Sequence, residues 1–133
     1  MTDPHDPKAL AAAIGVACKG LVYMSETDAP IEPFFVQNVG DEPIADILKK
    51  HFSGECSEAD PDEFFARLTA DQDWHTPLQK RTVKKFRALR NVLRSNLADL
   101  RIYRFGRIRI DILVVGREVT GDLAGIQTRA VET

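Results

Sequence analysis

Three histidines, His5, His51 and His75, are the side chains best suited to moving protons near neutral pH, and they stand far apart in the chain. None belongs to an HExxH, HxH or His-Cys arrangement that would set two ligands on one face. There is no GxSxG elbow, no phosphate-cradling P-loop and no dinucleotide fingerprint. Cys18 and Cys56 form no CxxC pair and have no histidine at zinc-finger spacing, so they read as two buried or half-buried free thiols in a reducing compartment. An enzyme remains the weakest reading. It would need folding to bring a histidine to a distant carboxylate, without the local spacing that reactions usually leave.

Charge is the more informative chemistry. Residues 1–75 hold 15 acidic and 5 basic side chains, whereas residues 76–133 hold 5 acidic and 13 basic, which is hidden in a net charge of −2. Two readings follow: one folded unit whose halves neutralise each other, or a charged recognition surface. In the basic half, Lys80, Arg81, Lys84, Lys85, Arg87, Arg90 and Arg94 make a cationic stripe, extended by Arg101, Arg104, Arg107 and Arg109. The alternative function is therefore a nucleic-acid-binding module that uses this helix, about residues 80–97, and the hairpin after it. A sequence pI of about 5.9 is low for such a module, and direct nucleic-acid binding is not expected. Trp74, the only tryptophan, lies in the polar run Asp71-Gln72-Asp73-Trp74-His75. It reads either as a ring folded over a helix start or as an exposed interaction anchor.

The elements that must position these residues follow from periodicity. Asp6 and Pro7 open a helix with Leu10, Ile14, Ala17 and Leu21 on one face, stopped at Gly20. Met24–Pro33 reads as an exposed acidic connection, and Phe34-Phe35-Val36 as a short strand. Asp41 and Pro43 open a brief helix through Ile44, Ile47 and Leu48, ending near Gly54. Glu55–Asp60 reads as a polar loop, and Asp60-Pro61 starts a helix with Phe64, Phe65 and Leu68. The longest helix runs from Thr76 or Pro77 to Leu97. Beyond it the period changes to two: Ile108, Ile110, Ile112 and Val114 alternate with Arg107, Arg109, Asp111 and Leu113. Gly106 places a tight hairpin before this strand, Thr120-Gly121-Asp122 makes a second turn, and Leu123–Val131 is the last strand. Helices first and an antiparallel sheet mostly at the end imply an α+β fold, with residues 1–133 as a single domain.

Ala9–Cys18 is apolar, but Asp3 and Asp6 outnumber Lys8 before it, which is the wrong flank for a secretory signal. An unprocessed, cytoplasmic protein that does not enter a membrane is expected, since no apolar stretch has the length of a span.

Several islands occur together in order: Gly20-Leu21, Met24-Ser25-Glu26, Gln72-Asp73-Trp74, Ser95-Asn96-Leu97, Tyr103-Arg104 with Gly106, Asp111, Leu123-Ala124-Gly125-Ile126 and the terminal Val131-Glu132-Thr133. They resemble the nuclease A inhibitor family, inhibitors of the cyanobacterial sugar-non-specific nuclease. The resemblance runs from about Gly20 to the last residue and is slight between about Asn38 and Asp60. It implies an α/β/α sandwich with a central antiparallel sheet, similar to the plant pathogenesis-related proteins. It also implies a protein inhibitor without catalysis or a cofactor of its own, bound 1:1 to a DNA- and RNA-degrading endonuclease with a divalent metal and cationic side chains in its site. The partner-binding positions implied are Glu26, Asp73, Trp74, Glu132 and Thr133. Thr133 would reach the catalytic metal in trans, through its hydroxyl and terminal carboxylate, both hard oxygen ligands. Glu26 and Asp73 would stand in for phosphates against arginines. The long helix is more basic here than in that family, and a cationic helix facing a cationic nuclease would oppose docking. It is therefore expected to face away from the interface.

Overall fold

The computed structural model describes residues 7–37, 39–70 and 76–132. Its first element is the expected helix, α1 (Pro7–Cys18), which buries Leu10, Ile14 and Cys18. Asp6, the expected cap, lies outside the described residues. The chain leaves the helix through Gly20 at φ 79°, a left-handed conformation that glycine adopts without a Cβ clash.

Two expected connections turn out to be strands. Met24–Pro33 is not simply an exposed acidic loop: β1 (Val22–Met24) and β2 (Asp28–Pro30) pair as an antiparallel hairpin that leads into β3 (Glu32–Val36). Glu55–Asp60 likewise contains β4 (Cys56–Ala59), paired with the strand that carries Tyr103 and Arg104. For β4 the cause is the sheet edge: that neighbouring strand presents unpaired N–H and C=O groups, and a polar segment lying alongside satisfies them whatever its own periodicity. For β1 and β2 it is the tight turn at Ser25–Thr27, which lets the two segments satisfy each other.

α2 (Ile44–Lys49) starts after Pro43 and buries Ile44, Ile47 and Leu48, but it has no side-chain cap and ends before the expected stop near Gly54. The next two helices follow the capping chemistry closely. α3 (Pro61–Thr69) is capped by the Asp60 carboxylate, which accepts from the Asp62 N–H at 2.9 Å, with Pro61 at the first position. α4 (Pro77–Asn96) opens on a capping box: the Gln79 N–H donates to the Thr76 hydroxyl and the Thr76 N–H donates to the Gln79 side chain. Val83, Phe86, Leu89 and Leu93 make its buried stripe. Leu97 then leads directly into β5 (Ala98–Phe105), followed by β6 (Arg109–Arg117) and β7 (Leu123–Val131).

The five-stranded antiparallel sheet has the order β3-β7-β6-β5-β4. Its two faces bury different side chains. Ile110, Ile112 and Val114 face one core with Leu10 and Ile14 of α1, Phe64 and Phe65 of α3 and Phe86, Leu89 and Leu93 of α4. Leu113, Val115 and Leu123 face the other with Tyr103, Phe105 and the three apolar residues of α2. Helices therefore lie on both faces of the sheet in the expected α/β/α order, three on one side and the short α2 on the other.

Ion pairs tie the two halves of the chain together: Arg94 with Asp62, Arg101 with Glu58 at 2.9 Å, and Arg107 with Glu55 at 2.7 Å. These pairs neutralise part of the charge asymmetry within the fold. No helix among the described residues is long and apolar enough to cross a membrane.

Candidate functional site

Glu26 forms the tip of the β1–β2 hairpin, and its location is decided by the needs of β7. β3 covers the outer edge of β7 from Leu123 only as far as Gln127, opposite Glu32. Beyond that point the hairpin takes over. The Glu26 N–H donates to the Val131 carbonyl at 3.4 Å, and the Val131 N–H donates to the Ser25 hydroxyl at 3.0 Å. The Thr128 hydroxyl donates to the Pro30 carbonyl at 3.1 Å, fixing the other end of the hairpin. Ser25 is thus a side-chain stand-in for a strand partner, and it presses exposed Glu26 against the end of the chain.

Glu132 follows immediately and is held twice. Its N–H donates to the Ile108 carbonyl at 2.9 Å, and its exposed carboxylate pairs with Arg104 of β5. Ile108 was expected in the alternating strand, but β6 begins at Arg109 and Ile108 sits in the preceding turn, 59 % exposed. The reason is steric. Gly106 stands at φ 110°, where an added Cβ would come within 2.2 Å of the Arg109 carbonyl oxygen, and reversing the chain consumes Arg107 and Ile108 as well. Counting those turn residues after Gly106 would have removed Ile108 from the strand.

One end of the sheet thus gathers Glu26, Glu132, Arg104 and Ile108, with Met24 of β1 nearby and 77 % exposed. A shallow groove of about 470 Å³ runs beside the hairpin, lined by Thr27, Asp28, Arg109, Asp111, Arg129 and Val131 among others. Asp111 and Arg129 pair across it at 3.5 Å. The local charge is mixed rather than purely acidic. On the opposite side Tyr23 stacks on Phe64 with ring centroids 5.7 Å apart, which locks α3 to the hairpin.

Asp73, Trp74 and Thr133 lie outside the described residues, as do His5 and His75. The segment that carries Asp73 and Trp74 leaves α3 at Ala70 and enters α4 at Thr76. Arg87 of α4 donates to the Thr69 carbonyl at 3.1 Å, tying the end of α3 to α4. His51 is exposed, and no group of three or more His, Cys, Asp or Glu residues among those described could hold a metal ion. Lys80, Arg81, Lys84 and Lys85 are exposed on α4, turned away from its buried stripe. The C-terminus of α4 joins β5 at Ala98, opposite Arg117, which is the end of the sheet remote from Glu26 and Glu132.

Both cysteines are free thiols, Cys18 buried and Cys56 half-buried, as their sequence context predicts. Burial pushes the Cys18 thiol up to about 11. Burial also raises the Tyr103 phenol, with the neighbouring Glu58 charge adding to the effect and Arg101 opposing it.

The fold and this end of the sheet define a class: an α+β protein that presents carboxylates and apolar side chains on a braced, exposed rim. The chain belongs to the nuclease A inhibitor-like protein family, whose model matches residues 8–133. No curated protein matches the chain.

Proposed function

We propose that the chain is a competitive inhibitor of a metal-dependent, sugar-non-specific DNA/RNA endonuclease, a binding protein without catalysis of its own, acting 1:1 in the cytoplasm. In this reading Glu26 and Asp73 meet cationic side chains that otherwise bind phosphate. Trp74 supplies the desolvated anchor, and Thr133, next after Glu132, offers its hydroxyl and carboxylate to the enzyme's metal. Family membership supports the inhibitor role. The observation that carries the finer reading is the hydrogen bond from the Glu26 N–H to the Val131 carbonyl, because it brings two regions far apart in sequence to one rim.

The test is a titration of a metal-dependent non-specific nuclease with untagged protein. Inhibition should be complete near equimolar amounts and should be competitive with nucleic acid. Extending the chain beyond Thr133 by a short tag should weaken inhibition far more than a conservative change in α4. Equal inhibition by tagged and untagged forms would rule out the metal-directed terminus.

A further inference from the structure

We infer that the turn between β5 and β6, together with Arg104, is the seat that aims the end of the chain at its partner, and that the Ile108 side chain is itself a partner contact. The inference rests on the inhibitor reading and adds to it a positioning pair and a contact residue. Glu132 is engaged inside its own fold: its carboxylate pairs with Arg104, and its N–H is bonded to Ile108. A carboxylate held this way serves to orient the strand end, since meeting a partner cation would require it to leave Arg104.

The seat is built as a rigid part. Gly106 accepts a backbone conformation closed to other residues, and its N–H donates to the Glu55 carbonyl at 2.9 Å, fastening the turn to the segment before β4. Arg107 pairs with Glu55 at 2.7 Å, reinforcing the same attachment. With the turn fixed on both sides, the Ile108 carbonyl is a fixed acceptor for the last described residue. The same geometry turns a β-branched apolar side chain outward, 59 % exposed, beside the carboxylates. Continuity with the rim that carries Glu26 makes the nuclease its occupant: an exposed apolar side chain bordered by charged groups matches the apolar core and polar surround of an interface.

Five single variants and one double variant test the inference against the nuclease inhibited by the unaltered chain. Arg104→Gln and Glu132→Gln should each weaken inhibition about tenfold, mainly through faster dissociation. Their effects should not add in the double variant, because both break one internal pair. Arg104→Lys should recover most of the loss. Ile108→Ala keeps the backbone acceptor and should also cost about tenfold. Val119→Ala, which trims a similarly exposed residue in the β6–β7 turn at the other end of the sheet, should change nothing. In the free protein the Glu132 amide should exchange with solvent about tenfold faster in Arg104→Gln than in the unaltered chain. Additive losses for Arg104 and Glu132 would make Glu132 a direct partner contact and overturn the positioning role, as would an unchanged exchange rate. Full inhibition by Ile108→Ala would overturn the contact. If the unaltered chain inhibits and all variants match it, this inference alone fails. If the unaltered chain inhibits no such nuclease, the functional reading fails first and takes this one with it.

Discussion

Glu26 joins a structural backbone to a proposed contact side chain. Its backbone N–H holds the hairpin to β7, while its side chain points from an exposed tip. Replacing Glu26 by Ala keeps the backbone bond, and binding to the nuclease should fall by about 2 kcal/mol, more than the fold loses in stability, if the carboxylate is a hot spot. A calorimetric titration alongside a thermal melt reads both quantities, and a fall in stability with unchanged binding would reverse the assignment. The buried thiol and phenol predict a different behaviour, confined to alkaline pH. Cys18 is pushed up to about 11 from an ordinary 9.0, so the folded state holds its proton where the unfolded chain has lost it. That contribution is complete below pH 9 and is lost as pH rises toward 11; Tyr103, also raised, adds a loss beginning near pH 10. Urea midpoints should therefore be flat through neutrality and fall above pH 9. At neutral pH a thiol reagent should label half-buried Cys56 in the native protein and leave Cys18 unmodified.

Elements that carry their own start signals were legible in the sequence, and those that exist to complete a neighbour were not. Asp60-Pro61 and Thr76-Pro77 cap α3 and α4 through local hydrogen bonds, and Phe64, Phe65, Val83, Phe86, Leu89 and Leu93 fall on their buried sides as helical spacing requires. β1, β2 and β4 have no such signature. β4 pairs with the open edge of β5, which only the folded sheet creates, and β1 and β2 pair with each other in a hairpin that its loop residues Ser25 and Glu26 fasten to β7. The same limit applies to the candidate site. Glu26, Asp73, Trp74, Glu132 and Thr133 were reached through family resemblance, because spacing along a chain says nothing about a hairpin tip meeting a strand end. Arg104 was visible as a cation within one of the family islands, but its pairing with Glu132 depends on strand order. Arg117 is a comparable case, since it reaches two residues of the region of slight resemblance, Gly40 and Glu42. One guanidinium nitrogen donates to the Gly40 and Gly121 carbonyls at 2.9 Å each, and the other donates to Glu42, so a single side chain pins the approach to α2 to the β6–β7 turn. Arg117→Ala should cost about 2 kcal/mol in a chemical denaturation experiment by leaving those carbonyls without their donor. A change under 0.5 kcal/mol would mean that water replaces the guanidinium at little cost.

At the scale of the whole molecule, the opposed charges of the two halves leave one large unbalanced feature, the outer face of α4. Arg94 is paired with Asp62 and Arg87 is bonded to Thr69, but no ion pair engages Lys80, Arg81, Lys84 or Lys85 among the described residues. Like charges at positions 80 and 84, and at 81 and 85, repel along the helix and oppose its N-terminal dipole, so this face costs stability rather than supplying it. Two functions give opposite forecasts for its removal. If the chain binds nucleic acid through α4, replacing these four side chains by Gln abolishes the interaction. If it inhibits a cationic nuclease through the rim that carries Glu26, the four cations only slow the approach. Removing four positive charges takes the net charge from −2 to −6, and long-range attraction to the enzyme should then raise the association rate several-fold at low ionic strength. Dissociation should change much less than association, because none of the four is a proposed partner contact. The gain should fade as salt shortens the screening length toward about 8 Å at physiological ionic strength. Stopped-flow association at three salt concentrations, run beside a gel-shift titration of labelled duplex with the protein alone, decides between them. Faster association with no duplex shift by either form fits the inhibitor, whereas a salt-sensitive shift by the unaltered chain that the four-site variant loses makes α4 the working surface.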